Sequence, residues 1–389
     1  MRTIGVVTTS RADYTAYRPL LKTFQADPEI ELKLYVSGMH LSPEFGMTVR
    51  VIENDGFEIT ERIEMLLSSD TPEGIAKSMG LALIGFGQAY TRSRPDILVV
   101  LGDRYEMLAA ALAALPFKIA VAHIGGGDVT QGAIDDSLCH CMTKLSHLHF
   151  VSTEGYGRRV IQLGEDPERV IVSGEPALDG ILGAPQIAPE ELKQRFGIDV
   201  EQPFLLVTFH PVTLEYEQAE RQVEELLAAL HEAQFPVIFT MPNADTAGRI
   251  IADKMQRWIE LHLGKGKMVE NLGPDAYHSV LRRAVTVVGN SSSGLIEAPS
   301  FKVPMVNVGN RQAGRIRAAN VIDVACERGE ILEAIRKAAS GEFHDSLASV
   351  VNSYANPTNS AVETIRDALK RVKLDDSLVQ KKFRDQSAS

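Results

Sequence analysis

A chain of 389 residues is too long for one compact core, so two domains are expected. With 44% hydrophobic and 23% charged residues, the composition is that of a globular protein. The net charge of -11 disfavours nucleic acid and anionic membrane as partners, and leaves room for a small anionic ligand held by a few local cations. No apolar run is long enough to span a bilayer, and the opening MRTIGVVTTSRADY reads as a first strand rather than a signal peptide. Three cysteines, Cys139, Cys141 and Cys326, suit a reducing cytoplasm better than a disulfide framework.

Strand-like and helix-like segments alternate along the first half. Residues 4–8 read as a buried strand, 11–24 as a helix, 32–36 as a second strand, and 43–54 as a helix ended by Gly56. Asp70 or Thr71 caps a long helix with Pro72 at its first position, running to Arg92. Residues 96–101 (DILVVL) form another buried strand, 105–115 an alanine-rich helix, and 119–122 (IAVA) a further strand. After the stretch 123–136, Ile134, Leu138, Met142 and Leu145 place one apolar stripe on a helix. A strand at 147–151, a helix at 155–163 and a short strand at 170–172 follow.

Residues 174–186 carry two prolines and three glycines and mark a boundary. A second array follows, with strands at 204–209, 236–240, 267–269, 286–288 and 303–308 and helices at 215–233, 246–263 and 275–284. Two such arrays imply an α/β protein of two Rossmann-like, doubly wound domains facing across a cleft, over 1–175 and 185–357. The amphipathic segment 358–373 can pack on either domain. The polar tail from Asp375 is expected to fray.

Chemistry concentrates at strand ends. The stretch HIGGGDVTQGAIDD sets three consecutive glycines directly after a core strand and follows them with Asp128, Asp135 and Asp136. Glycines there admit positive φ and close approach of a ligand, at the carboxyl end of a strand where open α/β sheets bind ligands. Asp103 and Arg104 end the neighbouring strand, either as a plain strand-to-helix turn capped by aspartate or as part of a carboxylate cluster at one cleft, where crowded carboxylates push one another's pKa upward and separate acid from base roles. GNSSSG at 289–294, followed by Glu297, reads either as a phosphate-binding turn at a helix start, with Glu297 in the first helical turn facing a ribose, or as plain serine capping. Arg11 either pairs with a diphosphate or is an exposed residue at a helix start. His123 and His210 end strands at cleft positions. Cys139, His140 and Cys141 lack metal-ligand spacing and read as packing and surface. Neither G-x-G-x-x-G after the first strand nor a P-loop is present, which argues against nicotinamide and P-loop chemistry.

The motifs TSRADY, SGMHL, GDR, HIGGGDVTQGAIDDS, KLSHLHF, HPVT, PNAD, GNSSSG and GNRQAGR, in this order over almost the whole chain, resemble the hydrolysing UDP-N-acetylglucosamine 2-epimerases of sialic- and legionaminic-type acid synthesis. The resemblance implies a fold like the type B glycosyltransferases, with the last helix, 358–375, crossing back to the first domain. It implies a reaction without metal or other cofactor. The nucleotide diphosphate leaves C1 as the C2 proton is removed, water adds to the glycal-like intermediate, and the free 2-epimer of N-acetylmannosamine type is released. Carried over, Asp103, Asp128 and Asp135 are the acid/base groups. His123 orients the sugar or a proton, and His210 meets the diphosphate. Arg11, Ser291 and Ser292 hold phosphates, Glu297 takes the ribose, Asn243 lies near the nucleotide, and Arg311 points into the cleft. Thr15, His40 and Arg104 complete the substrate contacts. A nucleotide-sugar substrate is thus implied, with neither nucleic acid nor membrane as partner, and a dimer or tetramer of identical chains.

Animal members and the non-hydrolysing epimerases carry a glutamate where this chain has Gly125, which leaves Asp128 to stand in. One extra residue near Gln131 also departs from the animal pattern. Both changes bring a UDP- or GDP-linked 2,4-diacetamido-trideoxy sugar into range beside UDP-N-acetylglucosamine. A non-hydrolysing epimerase, a type B glycosyltransferase and a nucleotide-sugar sensor without turnover are the competing readings.

Overall fold

The computed structural model describes residues 1–356 and 358–385. Among these residues the strands form two sheets. The first comprises β1 (Arg2–Thr8), β2 (Ile30–Ser37), β3 (Glu61–Ile63), β4 (Ile97–Leu101), β5 (Ala120–Ile124), β6 (Leu148–Val151) and β7 (Val170–Val172), in the order β3-β2-β1-β4-β5-β6-β7. The second comprises β8 (Leu205–Thr208), β9 (Val237–Thr240), β10 (Gly266–Val269), β11 (Thr286–Gly289), β12 (Met305–Val308) and β13 (Val321–Val324), in the order β10-β9-β8-β11-β12-β13. Every strand pair is parallel. Helices cover both faces of such sheets, so the central strands are unbroken apolar runs, as in ILVVL of β4 and LLVT of β8.

Each sheet reverses direction once, between β1 and β4 and between β8 and β11. At these switch points the loops diverge above and below the sheet and open a crevice beyond the strand ends. The helix Arg11–Ala26 starts at one of them. Ser10 caps it, with Asp13 closing a reciprocal capping box, and Tyr14, Tyr17, Leu20, Leu21 and Phe24 bury its inner face.

The chain crosses between the sheets twice. The Glu175 amide donates to Tyr354 O at 3.0 Å, and the Tyr156 and Tyr354 hydroxyls meet at 3.2 Å. The helix Ala361–Arg371 then returns to the first sheet, where Lys370 bonds Asp27 at 2.8 Å and Arg2 donates to the carbonyls of Leu369 and Val372.

Several sequence expectations change. The 43–54 helix is broken by Gly46 (φ 82) and Met47 (φ 46), and only Val49–Asn54 is α-helical. Ile134 sits outside the buried stripe at 39% exposure, because its amide ends the preceding loop by donating to Thr213 of the other half. The structure adds β3, Pro189–Phe196, β13 and Arg328–Ala338 to the expected elements. The tail does not fray through 385. Asp375 caps a short helix, Asp376–Val379. Lys381 then donates to the carbonyls of Thr143, Lys144 and Ser146 and pairs with Glu165, and Arg384 pairs with Asp166. Lys381 thus satisfies the end of the helix Asp135–Leu145, where carbonyls have no partner of their own. The expectation for the last residues, 386–389, and for the boundary at 357 lies outside the described residues. Among the described residues no helix is long and apolar enough to cross a membrane, and no group of three or more His, Cys, Asp or Glu is placed to hold a metal ion.

Candidate active site

The four loops at the two switch points face one cleft, with a cavity volume of about 280 Å³. Small-molecule sites run to roughly 300–1,000 Å³, so this solvent-open cleft stands at the small end of that range. From β1 come Ser10, Arg11 and, on the following helix, Asp13 and Thr15; from β4 come Gly102, Asp103 and Arg104. From β8 comes His210, and from β11 Ser291, Ser292, Ser293 and Glu297. Asn290 ties the second pair together, its Oδ1 accepting from His210 N at 2.7 Å and its Nδ2 donating to His210 O at 2.9 Å.

The first half supplies carboxylates. Gly125 (φ 86) and Gly127 (φ 78) turn the loop after β5 through the left-handed region, which glycine enters without strain. A side chain at Gly127 would collide with the Tyr156 carbonyl, 2.5 Å from where its Cβ would stand, while Gly125 leaves the cleft wall bare. This brings Asp128 opposite Asp103. Arg315, reaching over from the other half, lies 3.2 Å from Asp103 Oδ2 and 3.7 Å from Asp128 Oδ2, and also donates to Thr130. Burial raises the Asp128 carboxyl to about 6, against the pull of Arg315, and its Oδ1 has no protein partner among the described residues.

Donors come from the second half and from Arg11 of the first. His210 Nδ1 accepts from Asn243 N at 3.1 Å, so the ring proton sits on Nε2. Burial, together with Arg311, Arg104 and Arg11, drives His210 far below the usual histidine range, so it is neutral and a hydrogen-bond donor. Burial also lowers Arg11 to about 10, and among the described residues its guanidinium reaches only the Met241 carbonyl, at 3.4 Å. It is a cation with bonding capacity to spare. Among the described residues the Ser291 and Ser292 amides meet no protein acceptor. The arrangement can bind a diphosphate and move protons within one cleft.

Of the residues named from sequence, Asp103, Asp128, His210, Arg11, Thr15, Arg104, Asn243, Ser291, Ser292 and Glu297 border the cleft. Arg104 spends its fork on the buried Glu106 (2.9 Å) and on Asp245 (3.1 Å) across the cleft. Glu297 lies just after a one-turn helix, Ser293–Ile296, rather than in its first turn, and accepts from Ser293 Oγ at 2.8 Å. Four residues do not border it. His123 is fully buried; its Nε2 donates to Gly102 O at 2.7 Å and burial lowers it to about 4, so it pins the β4 loop instead of touching a sugar. His40 is equally buried, bonded to Thr8 (3.0 Å) and Thr48 (2.7 Å) behind Asp13. Asp135, raised to about 7 by burial and then by Asp103 and Asp245, stands behind the cleft wall. Arg311 is buried and donates to Asn290 O at 3.2 Å.

Residues 22–370 match the family model described as UDP-N-acetylglucosamine 2-epimerase. The chain belongs to this family. It is 38% identical over 385 residues to the GDP/UDP-N,N'-diacetylbacillosamine 2-epimerase (hydrolyzing) of Campylobacter jejuni, covering 99% of both chains. It is 36% identical to the polysialic acid biosynthesis protein P7 of Escherichia coli, covering 95% of both. It is 37% identical to the UDP-N,N'-diacetylbacillosamine 2-epimerase (hydrolyzing) of Legionella pneumophila, over 87% of this chain and 89% of that one. The fold matches that of the Neisseria meningitidis UDP-GlcNAc 2-epimerase bound to UDP-GlcNAc with a TM-score of 0.78 at 18% identity, covering 96% of this chain and all of that one. It also matches the Methanocaldococcus jannaschii enzyme with a TM-score of 0.74 at 18% identity, over 95% and 99% of the chains.

Sequence reasoning missed two residues of this epimerase cleft, Arg315 and Glu175. Arg315 stands inside the GNRQAGR motif, where its nearness to Arg311 was the available signal. Glu175 falls in the stretch read as a linker, and nothing in its surroundings marked it.

Proposed function

We propose that this chain is a hydrolysing 2-epimerase of a UDP- or GDP-linked 2,4-diacetamido-trideoxy sugar, releasing the free 2-epimer and the nucleoside diphosphate. The observation that supports the reading is that one cleft is bordered both by Asp103, Asp128 and Arg315 and by His210, Arg11 and the Ser291 turn. A sugar held against the carboxylates and a diphosphate held against the donors meet at the C1–O bond. Asp128, ionised at neutral pH with Arg315 beside it, takes the C2 proton. His210 Nε2–H, Arg11 and the Ser291 and Ser292 amides stabilise the charge that develops on the departing diphosphate. Glu297 faces the ribose. His123 and Asp135 act from behind the wall by fixing the β4 loop and the field around Asp103.

The choice of sugar is supported by the open space in front of Gly102 at the cleft, which can take a second acetamido group, and by the names of the Campylobacter and Legionella relatives. The three unpaired cysteines suit a reducing cytoplasm. The test is a panel of UDP- and GDP-linked 2-acetamido and 2,4-diacetamido sugars, with products identified by mass spectrometry. The expected result is free epimer from the diacetamido sugars at higher kcat/KM than from UDP-N-acetylglucosamine. A product that keeps its nucleotide defeats the proposal, and preference for UDP-N-acetylglucosamine defeats the choice of sugar.

A further inference from the structure

Turning over a C2 centre needs two proton carriers, one to take the proton and another to return one on the opposite face. Most carboxylates at the cleft are already engaged. Asp13 accepts from Thr9 Oγ1 at 2.8 Å and from Ser10 N at 2.9 Å, and it also bonds Thr8. Glu297 holds Ser293 and lies 3.6 Å from His278. Asp103 is joined to Arg315 and Thr130. Asp128 is the base already assigned, with its Oδ1 unpartnered and the residue only 9% exposed.

Glu175 is the remaining carboxyl. Its backbone is fixed at both ends, the amide donating to Tyr354 O and the carbonyl accepting from Leu178 N, each at 3.0 Å. Ser152 Oγ donates to its Oε2 at 3.1 Å, and the residue borders the cleft. Burial first, then the charge of Asp128, raises it to about 7, so at neutral pH it holds a proton about half the time. Asp128 follows β5 and Glu175 follows β7, with Ser152 at the end of β6 between them. Asp128 and Glu175 both border the one cleft, so a hexose ring held there meets carboxyls from two separate loops.

We propose that Glu175 is the catalytic acid that returns a proton to C2, working across the ring from Asp128. The inference rests on the hydrolysing-epimerase reading. In the first half-reaction Asp128 takes the C2 proton, the C2–H electron pair becomes the C1=C2 bond, and the C1–O bond breaks with its electrons leaving on the diphosphate. In the second, the Glu175 O–H breaks and the alkene pair forms the new C2–H bond. Water bonds to C1 and gives its proton to the Glu175 carboxylate, and Asp128 releases its proton to solvent. One water is consumed and one proton is released per turnover.

The experiment compares wild type with Glu175→Gln, which keeps the shape and the capacity to accept from Ser152 but cannot deliver a proton. Nucleoside diphosphate and sugar products are quantified separately by mass spectrometry, and melting is monitored in parallel. The expected result is continued nucleotide release with the glycal, lighter than the epimer by one water, as the main sugar product, and epimer formation lowered about 100-fold or more. Epimer formation near the wild-type rate overturns the proposal. So does an equal loss of nucleotide release and epimer formation, with or without a lower melting temperature, because Glu175 would then serve the structure or the first step. If wild type itself yields no free epimer from any substrate, the function reading fails; if wild type turns over and only the variant misbehaves as above, this inference alone fails.

Discussion

Replacing Arg315 by methionine removes the cation that sits 3.2 Å from Asp103 and 3.7 Å from Asp128 while keeping a side chain of similar length. Asp128 is at about 6 with that cation in place. An opposite charge at this range lowers a carboxyl by about 1–3 pH units, so a middle value of about 2 carries Asp128 to about 8 when the arginine is lost. At pH 7 a carboxyl at 6 is about nine-tenths ionised and one at 8 about one-tenth, so the active base form falls about tenfold. The sign follows from the role: activity requires the ionised form, is present above the folded pKa and is lost as pH falls through it. The variant therefore loses about tenfold in nucleotide release at pH 7 and regains most of it by about pH 9. Initial rates of diphosphate release across this pH range, with saturating substrate, measure the effect. An acidic limb that stays near pH 6, or a loss that is the same at both pH values, refutes the reasoning.

Three further outcomes are expected. Ser292→Ala removes a hydroxyl at the diphosphate wall and weakens UDP or GDP binding about tenfold by calorimetry, with little change in melting temperature. His123→Ala frees the Gly102 carbonyl and loosens the Asp103 loop, so kcat falls while nucleotide affinity holds, since the ring does not border the cleft; an unchanged kcat removes its positioning role. Lys381→Met strips the end of the helix Asp135–Leu145 of three carbonyl bonds and a partner of Glu165. It costs about 1–2 kcal/mol in denaturant unfolding with kcat unchanged, and an unaffected midpoint shows that the tail does not anchor this helix.

Strand ends were legible because buried parallel strands leave continuous apolar runs, and the residues that follow them are where such sheets bind ligands. That rule placed Arg11, Asp103, Asp128, His210 and Ser291 at the cleft. The rule misplaced His123, and the family resemblance misplaced His40, because the side of a strand or short turn that a side chain takes depends on packing that one sequence does not display. His123 faces Gly102 within the sheet, and His40 faces Thr8 and Thr48. Glu175 was hidden for the opposite reason. A linker between domains reads as punctuation, yet here the first crossing doubles as a cleft wall because Tyr354 of the second crossing fixes its backbone. The tail was misread because its polar residues reach distant carbonyls and carboxylates, contacts separated by more than two hundred residues that no local pattern announces.

The central claim is that this cleft exchanges the C2 proton and releases the sugar from its nucleotide. The most direct measurement is the reaction of a nucleotide-linked 2,4-diacetamido-trideoxy sugar in deuterium oxide, with the product read by mass spectrometry and proton NMR. The account predicts a free, nucleotide-free 2-epimer carrying one deuterium at C2, formed in step with nucleoside diphosphate. A free sugar with its original C2 proton, or an epimer still attached to its nucleotide, contradicts it.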